Sequence, residues 1–177
     1  MGEEGTFGFD GPKVVTLREV STDDLEKLRE HRNQWDTRRW LERSHEIDQP
    51  TQRAWFENGG PYRRVLIAED AGVSVGIARV DNNYGDTATV GCDTFAAYRG
   101  KGYGTAIFKA ACDLAIARGA KHLSLWVFID NELAVSIYKR AGFQFDHDAE
   151  VKQFFRPMTT EWSPCTYRAY VRMTKSV

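Results

Sequence analysis

The chain has 177 residues, which is the size of one ordinary domain. Hydrophobic residues make up 42% and charged residues 28%, as in an average globular protein, and no apolar run approaches the ~20 residues of a membrane span. The net charge of −1, from 24 basic and 25 acidic side chains, lacks the basic excess of a general nucleic-acid-binding protein.

The cysteines Cys92, Cys112 and Cys165 are widely spaced and form no CxxC or Cys/His metal pattern. We therefore expect reduced thiols, a cytoplasmic protein, no bound metal and no membrane partner. Residues 1–13 are rich in glycine and predict a flexible N-terminal segment, so that residues 14–177 form a single domain.

The first half of the chain predicts a strand, three helices and a meander of antiparallel strands. Residues 14–18 alternate as a strand does, and Ser21 is the expected N-cap of the first helix. A second helix is expected over 38–43, and a third helix begins at Thr51 as its cap. Three strands follow at 64–69, 73–80 and 87–95, separated by turns at 70–72 and 82–86.

The second half changes to alternating strands and helices. A glycine-rich turn over 99–104 opens a helix whose apolar residues recur at helical spacing from Ile107 to Ala115. The apolar run 122–128 is typical of a buried parallel strand, which completes a strand–helix–strand crossover. A further helix is predicted over 131–141, and closing strands over 144–147 and 167–173 flank a long loop at 149–164.

The strongest chemical signal is the turn YRGKGYGTA over residues 98–106. Its alternating glycines allow inward-pointing backbone N–H groups, and the helix N-terminus that follows carries partial positive charge. Such a turn suits a pyrophosphate, and Arg99 and Lys101 add positive charge. The pattern fits neither a Walker loop nor a dinucleotide fingerprint, which leaves coenzyme A as the expected pyrophosphate carrier.

Two motifs resemble one known family. The run RGKGYG at 99–104 resembles the Arg/Gln-x-x-Gly-x-Gly/Ala signature of the GNAT superfamily of N-acetyltransferases, and NELAVSIYKRAGF at 131–143 is similar to a second stretch of that family. The resemblance implies the GNAT fold: a mixed α/β sheet, mostly antiparallel, with a splayed parallel strand pair and helices on both faces. Residues 30–33, 38–40 and 52–56 resemble the branch of ribosomal-protein N-terminal and nucleotide-aminosugar acetyltransferases.

The resemblance also implies residue roles, with acetyl-CoA as the acetyl donor. Asn131 is expected at the pantetheine or its thioester end, and the Tyr138 hydroxyl is expected to protonate the departing thiolate. Backbone pairing with the pantetheine arm is expected of Phe95 and Ala97. The residues expected to hold the pyrophosphate are Arg99, Gly100, Lys101, Gly102, Tyr103, Gly104 and Thr105.

The general base is sought on the strand that precedes the glycine turn. Many members of this branch carry a glutamate further back in the strand, where this chain has Thr89. Asp93 is the only carboxylate within the strand after Asp86, and it is our candidate base. Its neighbour Cys92 points to the opposite face, and no Cys/His/Asn pattern supports a cysteine nucleophile.

Tryptophans and arginines cluster between residues 31 and 56. Trp35, Trp40 and Trp55 are core residues or line an acceptor pocket, and the arginines at 32, 38, 39 and 43 form a solvated helix face or contact an acceptor phosphate. We select Arg32, Trp40 and Trp55 as the substrate-binding residues.

The expected function is transfer of acetyl to the primary amine of a small molecule, such as a nucleotide-linked aminosugar, by direct attack in a ternary complex. The alternatives are a protein N-terminal acetyltransferase, an enzyme that modifies a nucleic-acid base and a non-catalytic acyl-CoA-binding module. Sheet-edge pairing in the family allows a monomer or a homodimer.

Overall fold

The computed structural model describes residues 12–59 and 63–177, so the predicted flexible segment lies almost wholly outside the described residues. One mixed sheet of eight strands forms the centre. The strands are β1 (Thr16–Glu19), β2 (Arg63–Asp70), β3 (Val73–Tyr84), β4 (Thr87–Thr94), β5 (His122–Phe128), β6 (Gln144–Phe145), β7 (Lys152–Pro157) and β8 (Cys165–Ser176). The helices are α1 (Leu25–Asn33), α2 (Trp35–Arg38), α3 (Gln49–Glu57), α4 (Tyr103–Ala117) and α5 (Glu132–Arg140).

The sheet contains the predicted meander and the predicted parallel pair. Strands β1 to β4 are antiparallel neighbours, and β4 is parallel to β5. That parallel register runs only from Thr87↔His122 to Thr89↔Ser124, after which the two strands separate. On its far side β5 pairs antiparallel with β8, which also pairs with β6 and β7. The mixed sheet with a splayed parallel pair is thereby confirmed.

Side-chain alternation divides the core into two layers. The larger cluster lies between the sheet and α4, with Ile107, Phe108 and Ala111 fully buried against it. On the opposite face α1 contributes Leu28 to a smaller cluster of Ile67, Ile77 and Phe95. Burial of each such aliphatic side chain stabilises the fold by roughly 1.5–3 kcal/mol, so helices hold both faces of the sheet.

Two predicted helix boundaries are wrong. The second helix is the short α2 rather than residues 38–43. After Arg38 the backbone forms hydrogen bonds of the 3-10 type, such as the one from the Leu41 N–H to the Arg38 carbonyl at 3.1 Å, and the α-helix ends there. Helix α3 is capped by Asp48 rather than Thr51. The Asp48 carboxylate accepts the backbone N–H of Thr51 at 2.9 Å, and Pro50 lies in the first turn.

The long loop predicted over 149–164 is also wrong, because it contains β7. This strand forms a hairpin with β8, in a register from Lys152↔Tyr170 to Pro157↔Cys165. Its sequence mixes charged and aromatic residues and ends in proline, which an edge strand tolerates. Similarly, β3 continues to Tyr84 and leaves only residues 85 and 86 for the turn that was expected over 82–86.

Gly76 in β3 lies in tight contact with the backbone of β4 and with the Ile107 side chain of α4. A Cβ built on it would lie 2.3 Å from the Asp93 carbonyl oxygen and 2.7 Å from Cδ1 of Ile107. The first contact is with backbone that is fixed by sheet pairing, so a side chain cannot be accommodated there without moving β4.

Substitution Gly76→Ala is therefore expected to destabilise the fold by about 3 kcal/mol, the upper end of ordinary overpacking. Gly91→Ala in β4 is the matched control, because its Cβ would meet its nearest neighbour, Cβ of Arg79, only at 4.0 Å. Urea unfolding measures both variants. Equal stability of the two would contradict the steric explanation.

Candidate active site

The separation of β4 and β5 opens a cavity of about 1230 Å³, here called the main cavity. A second cavity of about 300 Å³, the side pocket, lies between α1, α3 and the sheet. Both are bordered by Arg79 and Asp93 from the sheet and by Arg32 and Trp55 from the helices. The two cavities therefore meet at one sheet face.

The glycine turn forms one end of the main cavity. Gly102 adopts a left-handed φ of 86° and α4 begins directly after it, so the first free N–H groups of a 15-residue helix follow the turn. The cavity is bordered by Arg99, Gly100, Gly102, Gly104 and Thr105. This is the arrangement of backbone donors that an anion requires.

The cationic and aromatic side chains of the turn are engaged within the protein. Arg99 donates from Nη2 to Oγ1 of Thr37 at 2.7 Å and from Nε to the Thr94 carbonyl at 3.2 Å, which ties the turn to α2. Lys101 donates to the Ala97 carbonyl at 2.9 Å, and Tyr103 is buried with its hydroxyl 2.6 Å from Asp70. Backbone N–H groups of the turn are therefore the donors best suited to an anion.

The groups available to a pantetheine arm lie earlier in β4 than expected. The Phe95 N–H donates to the Val75 carbonyl at 3.0 Å, and the Phe95 ring is buried in the smaller core cluster. Ala97 lies in a short 3-10 turn, and among the described residues neither it nor Phe95 borders either cavity. The strand backbone that borders the main cavity is residues 90–94.

These features fit coenzyme A. The turn and the start of α4 suit its pyrophosphate, and the open edge of β4 over residues 90–94 suits the amide groups of its pantetheine arm. The main cavity then continues to Asn131 and Tyr138 of the α5 region, at the place where the thioester end is expected.

Asn131 and Tyr138 both border the main cavity, from the start and the end of α5. Asn131 is the N-cap of α5, and its Oδ1 accepts the Ala134 N–H at 3.3 Å. The Tyr138 ring packs on Phe108 with centroids 4.6 Å apart. Burial raises the pKa of Tyr138, as do the nearby Cys92 and Asp93, so the phenol keeps its proton.

Asp93 extends from the sheet face opposite α4, towards α1 and the side pocket. It forms an ion pair with Arg79 of β3, a residue that the sequence interpretation missed. The Asp93 carboxylate raises the pKa of Arg79, so the guanidinium stays charged. The sequence does contain a feature that could identify Arg79 as a site residue. Arg79 interrupts the apolar run Ile77-Ala78-Val80 at a position that faces inward.

Three further residues of the site were not predicted. Trp126 and Tyr170 stack with centroids 5.6 Å apart and border the main cavity. His31 of α1 is 5% exposed, packs edge-on against Phe95 at 4.9 Å and borders the side pocket. Burial lowers the pKa of His31, which favours its neutral form.

The arginines between residues 32 and 39 are held by groups of the protein itself and do not form a solvated helix face. Arg38 is 6% exposed and pairs with Glu161 at 2.6 Å. Arg39 donates to the Thr159 carbonyl at 3.0 Å, and Arg32 donates to the His45 carbonyl at 2.8 Å. Arg38 and Arg39 fix α2 against the segment between β7 and β8, Arg32 holds the turn that precedes α3, and Arg43 borders the main cavity.

Trp40 and Trp55 border the main cavity, and Trp55 also borders the side pocket. The guanidinium carbons of Arg39 and Arg168 each lie 4.5 Å from the Trp40 ring. Arg168 is 3% exposed and pairs with Asp130 at 2.8 Å, so Trp40 forms a fixed wall. Trp35 instead donates from Nε1 to the Thr159 carbonyl at 2.9 Å and belongs to the hairpin contact.

A sequence profile of the acetyltransferase (GNAT) family matches residues 25–143, which include the glycine turn, Asp93 and Tyr138. The chain belongs to the GNAT family. Members of this family use acetyl-CoA as the acetyl donor. Within the described residues of this GNAT chain, no helix is long and apolar enough to cross a membrane, and no cluster of three metal-ligating side chains occurs.

Solved structures share the GNAT fold over nearly the whole chain. The spermidine N-acetyltransferase from Vibrio cholerae, solved with CoA and spermine, superposes with a TM-score of 0.75 at 18% identity, over 92% of this chain and 95% of that chain. A proposed acetyltransferase from Salmonella typhimurium, solved with acetyl-CoA, superposes with a TM-score of 0.69 at 18% identity, over 93% and 94%. At these identities the likeness shows the fold alone.

A mycothiol acetyltransferase from Clavibacter sepedonicus is 32% identical over 114 residues, which are 63% of this chain and 34% of that protein. This GNAT chain spans between 21% and 34% of the length of the curated relatives that it matches.

The three cysteines are expected to differ in reactivity towards iodoacetamide. Burial raises the pKa of Cys92 to about 12 and that of Cys112 to about 11, so at pH 8 both remain thiols, whereas Cys165 is exposed. We expect Cys165 to react at least roughly 100-fold faster, since the thiolate is the nucleophile. Peptide mass analysis over time measures this, with Cys165→Ser as the control. Equally fast labelling of Cys92 would show that the main cavity does not bury its thiol.

Proposed function

We propose that the protein transfers the acetyl group of acetyl-CoA to the primary amine of a small molecule, by direct attack within a ternary complex. The observation that carries this proposal is that the glycine turn, Asp93 and Tyr138 border one cavity at the separation of β4 and β5. A donor site, a proton acceptor and a proton donor are thus within one space.

The donor is held by backbone groups in this proposal. The N–H groups from Gly100 to Thr105 bind the pyrophosphate, since the Arg99 N–H already donates to the Ala96 carbonyl at 3.3 Å. The edge of β4 at residues 90–94 binds the pantetheine arm. Asn131 has its Oδ1 engaged as a helix cap, so its amide Nδ2 is the group left to contact the thioester end. Acetyl-CoA supplies the acetyl group as a thioester.

The acceptor enters from the side pocket, where Asp93 is the carboxylate that β4 itself contributes. An amine attacks only in its neutral form, and a carboxylate within reach both orients it and takes up its proton. The ion pair with Arg79 means that Asp93 is not an isolated buried charge, and its carboxylate is the group that accepts a hydrogen bond from the amine.

The Tyr138 hydroxyl protonates the departing sulfur. As the new C–N bond forms, the C–S bond breaks, and the thiolate that leaves needs a proton donor that is still protonated at neutral pH. Burial of Tyr138 keeps its proton in place. A covalent route through Cys92 is disfavoured, because burial raises the pKa of that thiol to about 12.

Two alternatives are less well supported by the described residues. A nucleic-acid substrate would need several free cations, whereas Arg38 and Arg39 bind a carboxylate and a carbonyl of the protein itself. A non-catalytic acyl-CoA module would not need a buried phenol and an ion-paired carboxylate beside the thioester site. Membership of the aminosugar and ribosomal-protein branch remains a prediction.

Gly102→Ala is expected to weaken CoA binding roughly tenfold, because a β carbon at its left-handed φ displaces the turn and its N–H groups. Gly119→Ala is the control: its φ of 92° gives it the same strain at the other end of α4, far from the cavity. Calorimetry with CoA measures both. No heat with the unaltered protein refutes the acetyltransferase proposal, and equal affinity of the two variants refutes the role of the turn.

Tyr138→Phe is expected to lower turnover roughly 100-fold or more, with CoA affinity nearly unchanged, because it removes a proton donor and little surface. Ser136→Ala on the same helix is the control, since its hydroxyl is exposed and accepts only from Arg140 at 3.1 Å. Release of CoA with a panel of amines measures turnover. A loss of CoA affinity that matches the loss of rate would contradict the proton-donor role.

A further inference from the structure

The side pocket contains polar groups that the protein leaves unsatisfied. Within residues 12–59 and 63–177, the buried Nε of Arg79 and the buried Nε2 of His31 have no hydrogen-bond partner. A buried polar group without a partner costs roughly 1–3 kcal/mol, and native proteins keep few of them. Both side chains border the same small cavity, so one ligand could satisfy both.

Arg32 adds an uncompensated positive charge to this pocket. Its Nη1 and Nη2 donate to the carbonyls of His45 and Arg43, which hold the guanidinium in place without neutralising it. No carboxylate in the described part of the chain lies within ion-pair distance of it. Burial, Arg38 and Arg79 all lower the pKa of Arg32, so a nearby anion would relieve an existing electrostatic cost.

The unsatisfied groups specify the chemistry of the missing partner. Arginine nitrogens only donate hydrogen bonds, so the partner of Arg32 and Arg79 must be an acceptor, and an oxyanion is the strongest acceptor available. An opposite charge on the ligand is favoured by Asp93, an acidic residue that borders the same pocket and suits an amine.

The remaining walls limit the size of the ligand. Apolar side chains of Leu28, Ile47, Val65 and Ile77 border the side pocket together with Trp55, and its volume is about 300 Å³. That space suits a carbon skeleton of amino-acid size.

We infer that the acceptor is a small zwitterion, an amine and a carboxylate on one apolar skeleton, with its carboxylate bound by Arg32 and Arg79 and its amine held at Asp93. This inference rests on the proposed function and narrows its substrate class. The polyamine in the Vibrio cholerae structure belongs to a different charge class, and this pocket selects against it.

Matched acceptor pairs test the inference on the full chain. The pairs are leucine, methionine and phenylalanine, each with its carboxamide, and spermidine serves as a polyamine arm. We expect kcat/KM for the acids to exceed that for the amides by roughly tenfold to a hundredfold, the range for a hydrogen-bonded charge pair. The amino group of a carboxamide is less basic than that of the free acid and is more often neutral. This difference alone would favour the amides, so it works against the expected result.

Arg32→Gln is expected to bring the acid-to-amide ratio towards one, and Arg32→Lys to restore part of it. The acid-to-amide ratio of kcat/KM, measured on one preparation, does not depend on the fraction of folded protein. It therefore separates carboxylate recognition from any unfolding caused by loss of the contacts between Arg32 and the backbone carbonyls. Arg53→Gln on α3 is the control, because that side chain is 65% exposed and pairs only with Glu57. It should leave the ratio unchanged.

The outcomes separate this inference from the proposed function. Acetylation of amides or spermidine as fast as the acids overturns the inference and leaves the acetyltransferase function intact. An acid preference that survives Arg32→Gln overturns the assignment of the carboxylate to Arg32. Binding of CoA without acetylation of any amine overturns the proposed function and this inference with it.

Discussion

The site depends on the short contact between β4 and β5. These parallel strands share a register of only three residue pairs, and each is held on its outer side, β4 by β3 and β5 by β8. The separation beyond Thr89 is therefore stable, and it leaves one edge of β4 facing a cavity rather than another strand. Unpaired strand edges bind ligands through the backbone, as extended peptides do when they add to a sheet.

The separation also lets both faces of the sheet reach one space. Cys92 and Tyr138 come from the face that α4 and α5 cover, whereas Asp93 and Arg79 come from the face that α1 covers. In a closed sheet these side chains would be kept apart on opposite faces. Their meeting at the gap explains how a proton donor and a carboxylate can serve one reacting centre.

The sequence predicted the glycine turn, α4 and β5 well because their signals are local. Helical spacing from Ile107 to Ala115 and the glycine turn are properties of neighbouring residues. The failures concern contacts between distant residues. Strand β7 is stabilised by its pairing with β8 and by a contact of Arg156 with the turn after α2, and Arg38 of α2 pairs with Glu161 between β7 and β8. The hydrophobic periodicity within β7 or α2 carries no information about partners that are distant in sequence.

Local motifs also decide which residues of the site could be predicted from the sequence and which could not. Asp93 and Tyr138 stand beside recognisable motifs, whereas Arg79 and His31 gain their meaning from a pocket that forms only in the folded chain. Burial keeps the phenol of Tyr138 protonated, while the ion pair keeps Arg79 charged next to Asp93. Environments that push neighbouring groups into different protonation states are typical of acid–base pairs. Because Arg79 borders both cavities, it connects acceptor recognition to the reacting centre, and a substitution there should disturb both together.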